Sequence, residues 1–353
     1  MKIEGLASVD VQARCGSVTP LGRGLHMIDL CDWFLPERTA AYVFPEEGIL
    51  IETGPAVSFP FLLKGLTTLG MSPRDIRTVI VTHIHLDHAG AVGLFLKEAR
   101  EAEVIVHPRG ARHLTDPSRL IAAVRELYRG RFDEFYAPVL PVDPDRVRTV
   151  QDGDFLLLSE GRRLFFYDAP GHAPHHIAVY APHAEGVFTG DAAGVWYSRL
   201  AWTGTFLILP STVPTQFDPE AMRRTWKKLR ALKPRRLFFS HFGETEAVED
   251  VFGQLGKWLP RYLEDGEFVL RRYLRPWREG EEADRAAIFA QAVEQLTEMF
   301  WERILRDIGA QGRGGERAKE IFRRETAYRH DVYLNAYGVM DYLFRQSSRE
   351  DSG

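Results

Sequence analysis

Thr82-His83-Ile84-His85-Leu86-Asp87-His88 places three imidazoles and a carboxylate within six residues, directly after an apolar, β-branched run. His83 and His85 are two apart, so in extended backbone they project to the same side. Asp87 and His88 follow where the chain turns towards a helix beginning at Ala89. Such a cluster is costly to place beside an apolar strand unless something occupies it. A divalent cation is the natural occupant, since imidazole nitrogen and carboxylate oxygen are its usual ligands.

Further ligand types recur in one arrangement. Pro170-Gly171-His172, Thr189-Gly190-Asp191 and Ser240-His241-Phe242 each stand at the end of an expected strand. Alone, each is a turn or a satisfied core residue as readily as a ligand. Together they suit a site built along one edge of a sheet sandwich. There is no Gly-x-Ser-x-Gly elbow for a serine nucleophile.

The elements that must position these residues follow from periodicity and turn chemistry. Strands are expected over 40–44, 48–52, 76–82, 104–106, 155–158, 164–168, 177–180, 187–189 and 236–240. Helices are expected over 59–69, 89–100, 108–114 and 117–128, with Asp116 as a cap, and from Asp218-Pro219 to about Lys233. After about Glu246 the pattern is helical only. Phe289, Val293, Leu296, Phe300 and Ile304 share one helical face, as do Tyr333, Tyr337, Met340 and Phe344, with a Gly-rich stretch at 309–315 between them.

These motifs resemble the metallo-β-lactamase superfamily of metallohydrolases. The likeness rests on residues 82–88, 170–172, 189–191 and 240–241, in the family's order. Glu52-Thr53-Gly54 occupies the place of its first motif, where Asp usually stands. Asp116-Pro117-Ser118-Arg119-Leu120, Pro170-Gly171-His172-Ala173-Pro174 and the stretch from Tyr337-Gly338 to Tyr342 extend the resemblance, to a prokaryotic subgroup, over nearly the whole chain.

The resemblance implies an α/β fold, an αββα sandwich over 1–248 with a helical extension over 249–353. It implies two divalent cations, zinc first, with iron or manganese tolerated by the same donors. His83, His85 and His172 would hold one ion and Asp87, His88 and His241 the other, with Asp191 bridging. Glu52 would orient a ligand rather than be one. A hydroxide between ions about 3.5–4 Å apart would attack a carbonyl or a phosphorus. Asp87 would orient it and pass a proton to the leaving group. His85 where a Glu would otherwise stand, and the lack of a following flavodoxin-like domain, depart from the diiron flavoprotein branch.

The expected activity is hydrolysis of a small ester, thioester or lactone, as in a lactonase or thioesterase. The alternatives are a mononuclear iron dioxygenase of the persulfide-oxidising type, a phosphodiesterase or nuclease, and a non-catalytic binding module. Substrate-binding residues are not readable, because pocket walls come from loops without a code.

Composition bounds the rest. The 353 residues are 45% hydrophobic, and 45 Lys and Arg stand against 49 Asp and Glu, a formal charge of −4. That balance gives no general reason to bind nucleic acid. No run reaches the roughly 18 apolar residues of a membrane span, and the opening residues lack a signal-peptide core, so a cytoplasmic enzyme with a small-molecule substrate is expected. The two cysteines, Cys15 and Cys31, read as buried or idle thiols.

His175 and His176 read as residues beside the site or on the surface. His26, His107, His113, His183 and His330 read as structural or exposed. Trp196, Tyr197, Trp202 and Phe206 form an aromatic stretch equally suited to core or pocket wall. The Arg-rich helix at 223–230 is a solvated face. The apolar faces of the tail require burial on the core, where they would roof the metal site, or in a homodimer.

Overall fold

The computed structural model describes residues 14–128 and 130–350. These fall into two compact units. The first takes in 14–170, Pro174–Gly190 and Lys227–Val248; the second takes in Gly171–Ala173, Asp191–Trp226 and 249–350.

The first unit holds two sheets. One runs in spatial order through β1 (Val18–Gly22), β2 (Leu25–Asp29), β3 (Ala40–Phe44), β4 (Ile49–Ile51), β5 (Thr78–Ile80), β6 (Glu103–Val106) and β7 (Val147–Thr149). Pairing is antiparallel from β1 to β4 and parallel from β4 to β7. The other sheet contains β8 (Phe155–Leu157), β9 (Arg163–Asp168), β10 (Ile177–Ala181) and β11 (Gly186–Gly190). After β12 (Val195–Trp196) and β13 (Ile208–Leu209), a hairpin of the second unit, β14 (Arg236–Phe239) and β15 (Glu244–Thr245) complete that sheet. Its spatial order is β15-β14-β11-β10-β9-β8.

Strand β3 shows how the sequence makes two cores. Side chains alternate across a strand, so Ala40, Tyr42 and Phe44 face the other sheet, among Phe166, Val179, Phe188 and Phe238. Ala41 and Val43 face the opposite way, among Leu62 and Leu66 of α1 (Phe59–Thr68) and, past the short α2 (Leu86–Ala89), Val92, Phe95 and Leu96 of α3 (Val92–Glu98). A strand buried on both faces must be apolar throughout, which is why β3 lacks polar alternation. Each fully buried large side chain contributes about 1.5–3 kcal/mol. The Phe188 and Phe238 rings stack at 4.6 Å in the intersheet core. The αββα fold expected from the sequence is the fold observed.

The second unit is mainly helical. Its long helices are Val248–Glu279, whose first residue belongs to the first unit, Glu282–Gly309 and Thr326–Glu350, with Gly315–Arg324 between the last two. Tyr262 stacks on Phe300 at 4.0 Å, joining the first two. The Thr212 amide donates to Asn335 Oδ1 at 2.7 Å, so the 205–213 segment is fastened to the last helix. Gly338 is required there: a Cβ would lie 1.6 Å from Thr212 O. No helix among the described residues is long and apolar enough to cross a membrane.

One expectation is overturned. Cys15 and Cys31 are a disulfide, with Cα atoms 5.4 Å apart, and not idle thiols. The antiparallel pairing of β1 with β2, which the periodicity did not reveal, brings the two together: Gly16 N donates to Asp29 O at 2.8 Å. Beside the bridge, Asp29 is buried and accepts from the amides of Cys31 at 2.9 Å and Glu37 at 2.8 Å.

Burial pushes the Asp29 carboxyl up to about 6, against the two amides that favour its charged form. A carboxyl raised in the folded state takes up a proton on folding, so its contribution is fully present only below its ordinary value of 3.8 and is lost as pH rises from there through 6. Denaturant unfolding between pH 3 and 7 should therefore lose about 3 kcal/mol through Asp29. Asp29→Asn should remove that part of the slope; parallel curves for the two proteins would contradict the assignment.

Candidate metal centre

Strands β4 and β5 are parallel, with Ile51 opposite Ile80, so Glu52 and Thr82 leave the sheet at the same end. The Glu52 amide donates to Ile80 O at 2.8 Å. Its carboxylate is wholly buried, and a buried charge is tolerated only when hydrogen-bonded. Thr82 Oγ1 donates to Glu52 Oε1 at 2.5 Å and Ser240 Oγ donates to it at 3.1 Å. His88 Nδ1 lies 3.4 Å from the same oxygen. One carboxylate thus holds the ends of β5 and β14 and the ring of His88.

From that frame the first unit brings five of the seven expected ligands together. His83 Nε2 and His85 Nδ1 face each other at 2.9 Å. Asp87 Oδ2 lies 3.5 Å from His88 Nε2 and 3.5 Å from His241 Nε2. Asp87, His88 and His241 each offer one ligand atom, all within 4.8 Å of one another.

Bonds of about 2.0–2.1 Å to a tetrahedral ion put its ligand atoms about 3.3 Å apart. The 3.5 Å separations at Asp87 meet that requirement, and the donors are the nitrogen and oxygen types such ions take. The residues present therefore fit a divalent cation. Asp87 is half-buried, whereas His83 and His88 are fully buried.

The other two expected ligands belong to the second unit, and they too are paired. His172 Nε2 lies 3.5 Å from Asp191 Oδ2. Ser211 holds both: its hydroxyl donates to Asp191 Oδ2 at 2.9 Å, and its carbonyl lies 3.1 Å from His172 Nδ1. The second contact marks His172 Nε2 as the nitrogen that could ligate a cation, since a carbonyl at Nδ1 orients a metal-binding histidine in that way. Gly171 has φ +134 and a Cβ there would lie 2.4 Å from Met222 Cα, so the turn presenting His172 requires glycine.

Residues beside the ligands were only partly legible. His176 stacks on His83 with centroids 4.8 Å apart, and His175 lies edge-on to His85 at 5.5 Å. Both are buried, so neither is a surface residue. Gly190 has φ +49, and a Cβ there would sit 2.5 Å from both His176 Nε2 and Thr82 Oγ1. Thr82, Ser240 and Gly190 stood inside the motifs already. Their adjacency to the ligands was the signal for their role. Ser211 had no such signal.

His107 is buried with Nε2 3.5 Å from Asp168 Oδ1, a structural position as expected. Tyr197 is buried against Phe322 and Tyr328 and belongs to the core of the second unit, while Trp202 is 75% exposed.

A model of the metallo-beta-lactamase superfamily matches residues 36–241. The chain belongs to that superfamily. A solved archaeal superfamily protein from Sulfolobus tokodaii is 25% identical, with a TM-score of 0.53 over 67% of this chain and 86% of that one. A metallo-beta-lactamase family protein from Thermus thermophilus shares the fold at 19% identity, with a TM-score of 0.59 over 93% and 95% of the two chains. The mouse protein called metallo-beta-lactamase domain-containing protein 1 is 43% identical over 51 residues, 14% of this chain. That match spans only 20% of the mouse protein's length.

Glu52 offers a direct test of the frame. Glu52→Gln keeps the shape but removes the charge that holds His88, and metal affinity should fall about 10–100-fold. Competition with a chelating dye measures this, with far-ultraviolet circular dichroism confirming an unchanged fold. Equal affinity in both proteins would show that the carboxylate serves packing alone.

Proposed function

We propose that this chain is a dinuclear-metal hydrolase of a small ester, thioester or lactone. The observation that carries this is the half-buried Asp87, set 3.5 Å from both His88 Nε2 and His241 Nε2. His83, His85 and His172 would hold one ion and Asp87, His88 and His241 the other, with Asp191 available to both. The strand-end motifs and their order support this set. So does the pairing found inside each unit. Two divalent cations bound there would make a water acidic near neutral pH and polarise the substrate oxygen.

The chain's own groups do the rest. Asp87 is exposed enough to meet substrate and is held by two imidazoles, so it orients the attacking water and carries a proton to the leaving group. In the net reaction a carbon–oxygen bond forms from water and the acyl bond to oxygen or sulfur breaks. One water proton ends on the leaving alcohol or thiol and the other is released with the acid. Glu52 keeps His88 oriented throughout.

Assays of the full chain on lactones, thioesters, aryl esters and phosphodiesters should find hydrolysis of a carbonyl substrate. It should vanish with a chelator and return with zinc or manganese. Asp87→Asn should lower kcat by about 10²–10⁴-fold. Hydrolysis indifferent to chelator would overturn the proposal. Oxygen uptake on a persulfide with a single iron would replace it with the dioxygenase, and preference for phosphodiesters would move the substrate class to phosphorus.

A further inference from the structure

The helical unit holds an open groove of about 410 Å³, between the end of helix Val248–Glu279, the start of Glu282–Gly309 and the second half of Thr326–Glu350, with Arg285 exposed at its mouth. That volume lies within the range of small-molecule sites, about 300–1,000 Å³. Its apolar lining is a run of rings in contact. Trp277 packs on Phe344 at 5.0 Å, and Phe289 meets Phe344 at 5.5 Å and Tyr337 at 5.1 Å. All four rings line the groove.

The charges on the lining do not balance. Arg285 lies over the Trp277 ring, 5.4 Å from its centroid. Its hydrogen bonds go to the backbone carbonyls of Trp277, Gly280 and Arg278, at 3.0–3.2 Å, so no carboxylate among the described residues neutralises it. Across the groove Arg345 donates through Nε to Asp341 at 2.7 Å, which compensates one guanidinium with one carboxylate. Arg345 Nη2 has no acceptor among the described residues. Two guanidiniums and one carboxylate leave one positive charge on a wall of aromatic rings.

We infer that this groove binds a small aromatic carboxylate, at a site separate from the proposed hydrolytic centre. A guanidinium already aligned by three carbonyls loses little freedom on meeting a carboxylate. The rings would take the flat body of the ligand edge-on or offset, as aromatic pairs prefer. The charge makes the site selective for an anion over a neutral molecule of the same shape.

The test uses the full chain with naphthoate and its neutral isostere naphthamide, by calorimetry or ligand-observed magnetic resonance. Naphthoate should bind and naphthamide should bind at least about tenfold more weakly. Arg285→Met should erase that difference. Arg285 also caps helix carbonyls, so Arg345→Met provides a second reading: naphthoate should weaken severalfold, and Arg345→Lys should restore part of the loss. Equal binding of the two probes, no binding of naphthoate at millimolar concentration, or a preference unchanged in the folded variants would each overturn the inference. A straight-chain decanoate binding more tightly than naphthoate would overturn the aromatic class.

Discussion

A buried carboxylate beside buried imidazoles is the constraint on which the rest of the site depends. Glu52 lies at the end of β4 with no exposure to solvent, and its Oε1 receives Thr82, Ser240 and His88. Moving a carboxylate out of water is expensive unless hydrogen bonds meet it. The donors that meet it sit next to expected ligands: Thr82 precedes His83, and Ser240 precedes His241. Meeting one oxygen of that carboxylate therefore ties two segments of expected ligands, 82–88 and 240–241, to a single point.

The sheets make that satisfaction geometrically possible. Parallel pairing of β4 with β5, and of β11 with β14, brings strand ends out at common levels. Alternation along β3 fills both cores and leaves only the strand ends for polar chemistry. The Tyr42 hydroxyl extends this coupling, lying 2.6 Å from Phe239 O and 2.9 Å from Gly243 O around His241. A core residue thereby steadies the turn that carries His241. The second unit follows the same logic on a smaller scale, where Ser211 steadies Asp191 and His172 together.

Much of this was legible because the chemistry is local in sequence. The 82–88 motif declares its ligands within seven residues, and Pro-Gly-His, Thr-Gly-Asp and Ser-His mark strand ends through turn chemistry. Glu52 was legible only through the place its motif occupies, since a single Glu after Ile51 has no pattern of its own. The first two strands were not read. Val18–Gly22 is half-exposed with a proline at its centre, so neither strict alternation nor an apolar run signals it. The Cys15–Cys31 bridge was lost with them, because its proximity follows from that pairing and not from the spacing of two cysteines. The aromatic groove of the helical unit was invisible for a similar reason. Phe289, Tyr337 and Phe344 looked like ordinary buried helix faces, and only the folded arrangement leaves Arg285 without a carboxylate beside them.

The central claim is that the seven side chains form two ion sites, and the most direct measurement is the metal content of the full chain by elemental analysis against protein concentration. Two divalent ions per chain are predicted, falling to one in His241→Ala with the fold intact. A single ion in the unaltered protein, unchanged by loss of His241, would contradict the dinuclear centre.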